Sequence, residues 1–167
     1  MEFFLREARH EDSGTLWDID QKCFPPGISY SRAELTVYMR RWGAFTLVAE
    51  PVKSRVKGST PAGISGIGGF LVAESGNRGV GHIITIDVLP EARRSGVGSK
   101  LLSAAEERLL GSQCRRVMLE VAVDNRSALI FYKRHKYTTV KTIPHYYSNG
   151  VDALVMQKDL LLHGPNR

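Results

Sequence analysis

A strand that ends in a glycine-bearing turn and runs straight into a helix constrains this chain more than any other feature. Residues 86–102 read Ile-Asp-Val-Leu-Pro-Glu-Ala-Arg-Arg-Ser-Gly-Val-Gly-Ser-Lys-Leu-Leu. Residues 81–88 are dense in β-branched side chains (Ile83, Ile84, Ile86, Val88) and predict a buried central strand. Beyond the turn, Leu101, Ala105 and Leu109 recur every fourth residue with Leu102 beside them, the stripe of a helix lying on a sheet. A helix N-terminus carries unpaired N–H groups and the positive end of the macrodipole, and glycine lets the backbone approach a ligand closely. Arg93-x-x-Gly96-x-Gly98 is therefore suited to a pyrophosphate. Without Gly-Lys-Ser/Thr it is no Walker A loop, and with two glycines at the turn it is no Gly-x-Gly-x-x-Gly. A nucleotide triphosphatase and a Rossmann dehydrogenase are disfavoured. Taken alone, an ordinary glycine-rich turn would read the same way.

The rest of the chain alternates strand and helix signals around this unit. Phe3 to Ala8 reads as a strand, and Asp12 or Ser13 can cap a helix with Leu16, Ile19 and Cys23 on its inner face. That helix ends before Pro25-Pro26-Gly27. Ser31-Arg32-Ala33-Glu34 is a capping box predicting a short helix to about Arg40. Phe45 to Glu50 and Ile64 to Glu74 read as strands joined by a flexible hairpin loop over 51–63, with a turn at 75–79. Arg116 to Val123 is a further strand. Asn125 is a good N-cap for a helix to about His135, with Ala128, Leu129, Phe131 and Tyr132 on its apolar side. Strands at Thr138 to Ile143 and Ala153 to Asp159 close the pattern, and 161–167 reads as a frayed tail. This order predicts an α/β chain, a mixed sheet with helices on both faces.

At 167 residues the chain fits one domain, placed here at residues 1–160. Cys23 and Cys114 lack the spacing of a metal site or redox pair, and no leader resembles a signal peptide, so a reduced, cytoplasmic, metal-free protein is expected. No window approaches the uninterrupted apolar length of a membrane-spanning helix. The net charge of +6 favours an anionic partner. The basic residues are dispersed and lack the interleaved aromatics of an RNA-binding sheet, so neither nucleic acid nor membrane is expected as a partner.

Asp87-Val88, Arg93-Arg94-Ser95-Gly96-Val97-Gly98, Leu119-Glu120-Val121, Asn125 and Phe131-Tyr132, in this order, resemble the GCN5-related N-acetyltransferase (GNAT) superfamily, and within it the RimI-like group of protein N-terminal acetyltransferases. The likeness covers roughly residues 3–159 and is strongest from 81 to 159. It implies a single-domain fold with a mixed, mostly antiparallel sheet of about seven strands, about four flanking helices, and a splay between the two central strands. It also implies acetyl-CoA as cofactor. Ile86, Asp87 and Val88 would meet the pantetheine arm through main chain, and Arg93, Arg94, Ser95, Gly96, Val97, Gly98 and Ser99 would hold the phosphates. Asn125, Ala128, Phe131 and Tyr132 would line the far side of the channel. The Asp87 side chain could face the substrate cleft. The family usually places a glycine where this chain has Lys136, and a left-handed lysine there costs on the order of 1 kcal/mol.

Acetyl transfer to an amine needs a base near the amine and an acid near the departing sulfur. Glu120, in the apolar run Val117 to Val121, is the expected base, because a carboxylate in a largely dry setting takes up a proton readily. Tyr132 is the expected acid, since the RimI-like group carries a glutamate and a tyrosine at this separation. His82 is a second candidate base. Cys23 and Cys114 read as core residues. By the same resemblance, Phe24, Ile28 and Tyr30 on one loop and Tyr146 and Tyr147 on another would flank an extended peptide N-terminus, bound by a monomer or weak dimer. Lysine side chains, a polyamine or aminoglycoside, and a non-catalytic acyl-CoA-binding module stay open as alternatives.

Overall fold

The computed structural model describes residues 1–52 and 66–164. Seven strands form one sheet in the order β1-β2-β3-β4-β5-β7-β6, and of the neighbouring pairs only β4 and β5 run parallel. The strands are β1 (Phe3–Glu7), β2 (Ala44–Pro51), β3 (Gly69–Ser75), β4 (Val80–Val88), β5 (Arg116–Ala122), β6 (Thr138–Ile143) and β7 (Ala153–Asp159). The helices are α1 (Ser13–Cys23), α2 (Arg32–Arg40), α3 (Val97–Gly111), α4 (Arg126–Arg134) and the single turn α5 (Leu160–His163).

Each sheet face has its own core. On one face, Leu101, Leu102, Ala105 and Leu109 of α3 pack with Leu71, Ile83, Val117 and Leu119. The four-residue spacing that predicted α3 is thus the spacing that buries it. On the other face, Leu16 and Ile19 of α1 and Leu35 of α2 pack on Val48, Phe70 and Val72. The predicted capping box forms: Glu34 N–H donates to Ser31 Oγ at 3.1 Å and Ser31 N–H to Glu34 Oε2 at 2.7 Å.

Two boundaries differ from expectation. The third strand starts at Gly69 rather than Ile64, because Gly66 to Gly68 run as a connection; of the loop expected at 51–63, Pro51 belongs to β2, and residues 53–63 lie outside the described residues, as does Ile64. Of the tail expected at 161–167, residues 165–167 lie outside the described residues, and Leu160–His163 form one helical turn. The Asp159 carboxylate accepts from Leu161 and Leu162 N–H, capping α5, while Leu160 is buried against the sheet. The left-handed turn suspected at Lys136 is present, with φ 72°.

β4 and β5 pair only at Val80–Arg116, Gly81–Val117 and His82–Met118. Beyond His82 the strands part, and among the described residues no strand pairs with the β4 edge facing β5, although side chains reach two of its carbonyls: Tyr30 Oη donates to Ile84 C=O at 3.5 Å, and Arg93 Nε to Val88 C=O at 3.0 Å. In β4, the ladder with β3 skips Ile84, where a register shift inserts one extra residue and re-aims the side chains that follow. A strand edge opened in the middle of a sheet presents unpaired N–H and C=O groups, a template for an extended ligand.

Candidate active site

The turn after β4 builds an anion socket. Pro90 to Ala92 form a single 3₁₀ turn, after which Arg94 and Gly96 both take left-handed backbone, φ 62° and 82°. A Cβ on Gly96 would meet nothing within 4 Å, so its space is open while its φ favours glycine. The first intrahelical bond here, from Lys100 N–H to Gly96 C=O, leaves the N–H groups of Val97, Gly98 and Ser99 without intrahelical acceptors at the mouth of a cavity of about 640 Å³. Ile86, Val88, Arg93, Arg94, Gly96, Val97, Gly98, Ser99, Asn125, Ala128, Phe131 and Tyr132, all named from the sequence, line this cavity. Size and chemistry fit a phosphorylated cofactor: orphan N–H groups and cationic side chains at one end, an unpaired strand edge along the wall.

Three expected placements need correction. Ser95 does not line the cavity, because its hydroxyl turns inward to the Ala92 carbonyl. The Asp87 side chain, expected at the substrate cleft, is instead fully buried on the side of the strand away from Ile86 and Val88, next to Asp20 of α1; this leaves its main chain where the cofactor contact was expected. The Val88 carbonyl, expected to meet a ligand, accepts from Arg93 Nε at 3.0 Å and from Cys23 Sγ at 3.4 Å. Asn125 lines the cavity but its Oδ1 caps α4, accepting from Ala128 N–H at 3.2 Å. Ala92, Ser127 and Arg134 line the cavity without having been expected. Arg134 was legible: Asn125, Ala128 and Phe131 recur every third residue, and Arg134 is next on that helical stripe.

A second cavity of about 360 Å³ meets the first, sharing Cys23, Phe24, Ile86, Asn125, Ala128 and Tyr132. Phe24, Ile28, Tyr30, Glu120 and Tyr147 line it, so the residues expected to receive the acceptor come together. Tyr146 does not. It is 46 % exposed and packs edge-on behind Tyr147 at 4.9 Å. The two walls touch at the rim: Ser148 Oγ donates to the Gly27 carbonyl at 3.1 Å, and a Cβ on Gly27 would strike the Asn149 side chain at 2.6 Å.

The two candidate bases are partners. His82 Nε2 lies 2.6 Å from Glu120 Oε2, and His82 Nδ1 lies 3.8 Å from Glu74 Oε1. The contact follows from topology: His82 is the last β4 residue paired with β5, opposite Met118, and Glu120 is two residues on along β5, where the strands part. Glu74 is the His82 register partner on β3. Burial pulls the imidazole pKa down, but the hydrogen bond and charge of Glu120, with the charge of Glu74, outweigh it and hold the pKa above its ordinary value. Glu120 lines the acceptor cavity, with His82 behind it.

Tyr132, only 9 % exposed, lines both cavities. Burial, reinforced by the charge of Asp87, keeps the phenol protonated well past neutral pH. Burial likewise pushes the Cys23 thiol up to about 11, so this cavity-lining cysteine is no ready nucleophile. Among the described residues no group of His, Cys, Asp and Glu could hold a metal ion, and no helix is long and apolar enough to cross a membrane.

Residues 15–137 match the model of the acetyltransferase (GNAT) family. The chain belongs to this family. Within the GNAT sequences it is 29 % identical over 160 residues to an N-alpha-acetyltransferase of Saccharolobus solfataricus, covering 95 % of this chain and 94 % of that one. It is 28 % identical over 158 residues to the N-alpha-acetyltransferase daf-31 of Caenorhabditis elegans, covering 93 % and 82 %. Among solved structures it superposes on Ard1 from Thermoplasma volcanium with a TM-score of 0.79 at 27 % identity, covering 95 % of this chain and 98 % of that one. The seven-stranded, mostly antiparallel sheet opened between β4 and β5 is the GNAT fold that the motifs implied.

Proposed function

We propose that this GNAT enzyme transfers acetyl from acetyl-CoA to the α-amino group of protein N-termini, by direct attack with both substrates bound. One observation carries the reading: two cavities meet at Tyr132, the first a phosphate socket with an open strand edge, the second an aromatic-walled slot with Glu120 inside. N-alpha-acetyltransferase relatives that align over nearly the whole chain support the α-amine over a lysine or a small amine.

Acetyl-CoA supplies an activated thioester. The α3 N–H groups with Arg93, Arg94 and Arg134 would hold its phosphates, and the free edge of β4 at Ile86 would align the extended arm. Phe24, Ile28, Tyr30 and Tyr147 would hold the incoming N-terminus. Glu120 would take the amine proton, directly or through water. His82 Nε2 shares that proton, so the charge does not accumulate on one carboxylate, and Glu74 favours its arrival by adding negative charge behind the ring. Tyr132 would donate a hydrogen bond to the departing sulfur. Burial holds this phenol protonated, above its ordinary pKa, so its hydrogen is available to the sulfur as the thiolate leaves.

Both cavities are built by one chain, so a monomer or weak dimer suffices. We place the reaction in the cytoplasm, where Cys23 and Cys114 stay reduced. Calorimetry with acetyl-CoA tests the first half of the reading. Saturable binding that Gly96→Val weakens is expected; no binding to the intact chain would contradict it.

A further inference from the structure

Two carboxyl groups outside the transfer chemistry lie side by side beneath the acceptor wall. Asp20 on α1 and Asp87 on β4 are both fully buried. Asp20 Oδ2 accepts from the Tyr30 N–H at 2.8 Å and from Gln21 Nε2 at 3.2 Å, and Thr85 Oγ1 donates to Asp87 Oδ1 at 2.5 Å. The other two oxygens, Asp20 Oδ1 and Asp87 Oδ2, receive no N–H or O–H donor from the described residues. The two carboxyl groups stand within hydrogen-bond reach of each other. Burial and mutual repulsion forbid two adjacent carboxylates in one dry site, and a single proton between the orphaned oxygens satisfies both.

Stability alone gives no reason for this pair, since well-packed apolar side chains in place of buried ionisable groups are often neutral or stabilising. What the pair fixes is Tyr30. The Tyr30 N–H rests on Asp20, its carbonyl accepts from Trp17 Nε1 at 3.1 Å and Gln21 Nε2 at 2.8 Å, and its ring lines the acceptor cavity. Asp87 sits between Ile86 and Val88 on the strand that borders the coenzyme cavity. We propose that Asp20 and Asp87 form a proton-sharing clasp that ties the acceptor wall at Tyr30 to the coenzyme strand β4, making both positioning residues for the incoming peptide. The clasp sets the distance between the two substrates. As a role in peptide binding it rests on the function proposed above.

Trp17 reports on the clasp without any turnover, because its indole N–H holds the Tyr30 carbonyl. The chain has two tryptophans, and Trp42 is 90 % exposed, so Trp42→Phe leaves Trp17 as sole emitter. In that background Asp20→Asn and Asp87→Asn each keep a carbonyl oxygen and supply an amide N–H in place of the shared proton; the Leu variants keep bulk and supply neither. Both Asn variants should retain the parent Trp17 emission maximum, with peptide KM within roughly threefold. Asp20→Leu should red-shift the emission and raise peptide KM by about tenfold or more, at unchanged acetyl-CoA affinity. Parent-like emission and KM in a folded Asp20→Leu would overturn the clasp. So would equal loss of peptide and acetyl-CoA binding. The Asn variants decide even if the Leu variants do not fold, because a red-shifted emission or a tenfold rise in KM in either contradicts a clasp that needs only one shared hydrogen. Emission is read without substrate, so a chain that acetylates no N-terminus would refute the proposed function and leave the clasp to the fluorescence result.

Discussion

His82 Nε2 and Glu120 Oε2 stand 2.6 Å apart at the point where β4 and β5 separate, so a proton on either is shared with the other. The transfer reaction needs this pair able to take a proton, and Glu120 holds the imidazole pKa above its ordinary 6.5. The acid limb of kcat/KM should therefore lie above pH 6.5. Removing the carboxylate with Glu120→Gln leaves burial in charge, so the limb should move to lower pH while the rate falls by about 10²-fold or more. The stability effect has a definite sign. A raised histidine pKa contributes stability that is fully present below the unfolded pKa and lost as pH rises through the folded one. Glu120→Gln should therefore depress Tm more under mildly acid conditions than under alkaline ones. An unmoved limb and a pH-independent Tm difference would separate the two residues.

Tyr132→Phe should lower kcat by about tenfold or more and leave acetyl-CoA affinity nearly unchanged, since the ring keeps its packing and only the donor to the departing sulfur is lost. Single-turnover kinetics at saturating peptide measure this. Unchanged kcat would remove Tyr132 from the reaction.

Lys136 is held at φ 72° after α4. Lys136→Gly should stabilise the fold by roughly 0.5–1 kcal/mol, the left-handed cost of a side chain less the entropy a glycine adds to the unfolded chain. Thermal unfolding should show a gain of a few degrees for a chain of this size, roughly 2–4 °C per kcal/mol.

The Glu106 carboxylate is buried between Lys158 Nζ at 2.9 Å and the Tyr137 hydroxyl at 3.0 Å, with both members of the ion pair fully shielded from water. Lys158→Met removes the cation that neutralises this buried carboxylate and should cost about 3–5 kcal/mol. Adding Glu106→Leu should recover most of that loss, because the double variant buries no unpaired charge. Chemical denaturation of the single and double variants measures the difference.

The elements were legible wherever one periodicity dominated. Leu101, Ala105 and Leu109 announced α3, and Ser31 with Glu34 announced the start of α2, because local chemistry alone sets those features. The socket was legible for the same reason: Arg93, Gly96 and Gly98 lie within six residues of one another. What depends on packing between distant segments was not. Nothing in the sequence says that His82 and Glu120 touch, since their contact needs the parallel register at His82–Met118. Asp87 looked like a cleft residue because its neighbours are; the bulge at Ile84 and the approach of α1 turn it toward Asp20. Of the two tyrosines expected on the closing loop, Tyr147 lines the second cavity and Tyr146 packs edge-on against it at 46 % exposure, a difference that adjacent identical residues do not reveal in the sequence. Cys23 read as core filling, yet at the end of α1 it lines both cavities.

The most direct measurement gives the enzyme acetyl-CoA and two matched peptide libraries, one with free N-termini and no lysine, the other with blocked N-termini and an internal lysine. Mass spectrometry then locates the acetyl group. The account predicts acetylation of the free α-amines, abolished by Glu120→Gln with Tyr132→Phe, and none of the blocked set. Acetylation confined to lysine in the blocked set would contradict it.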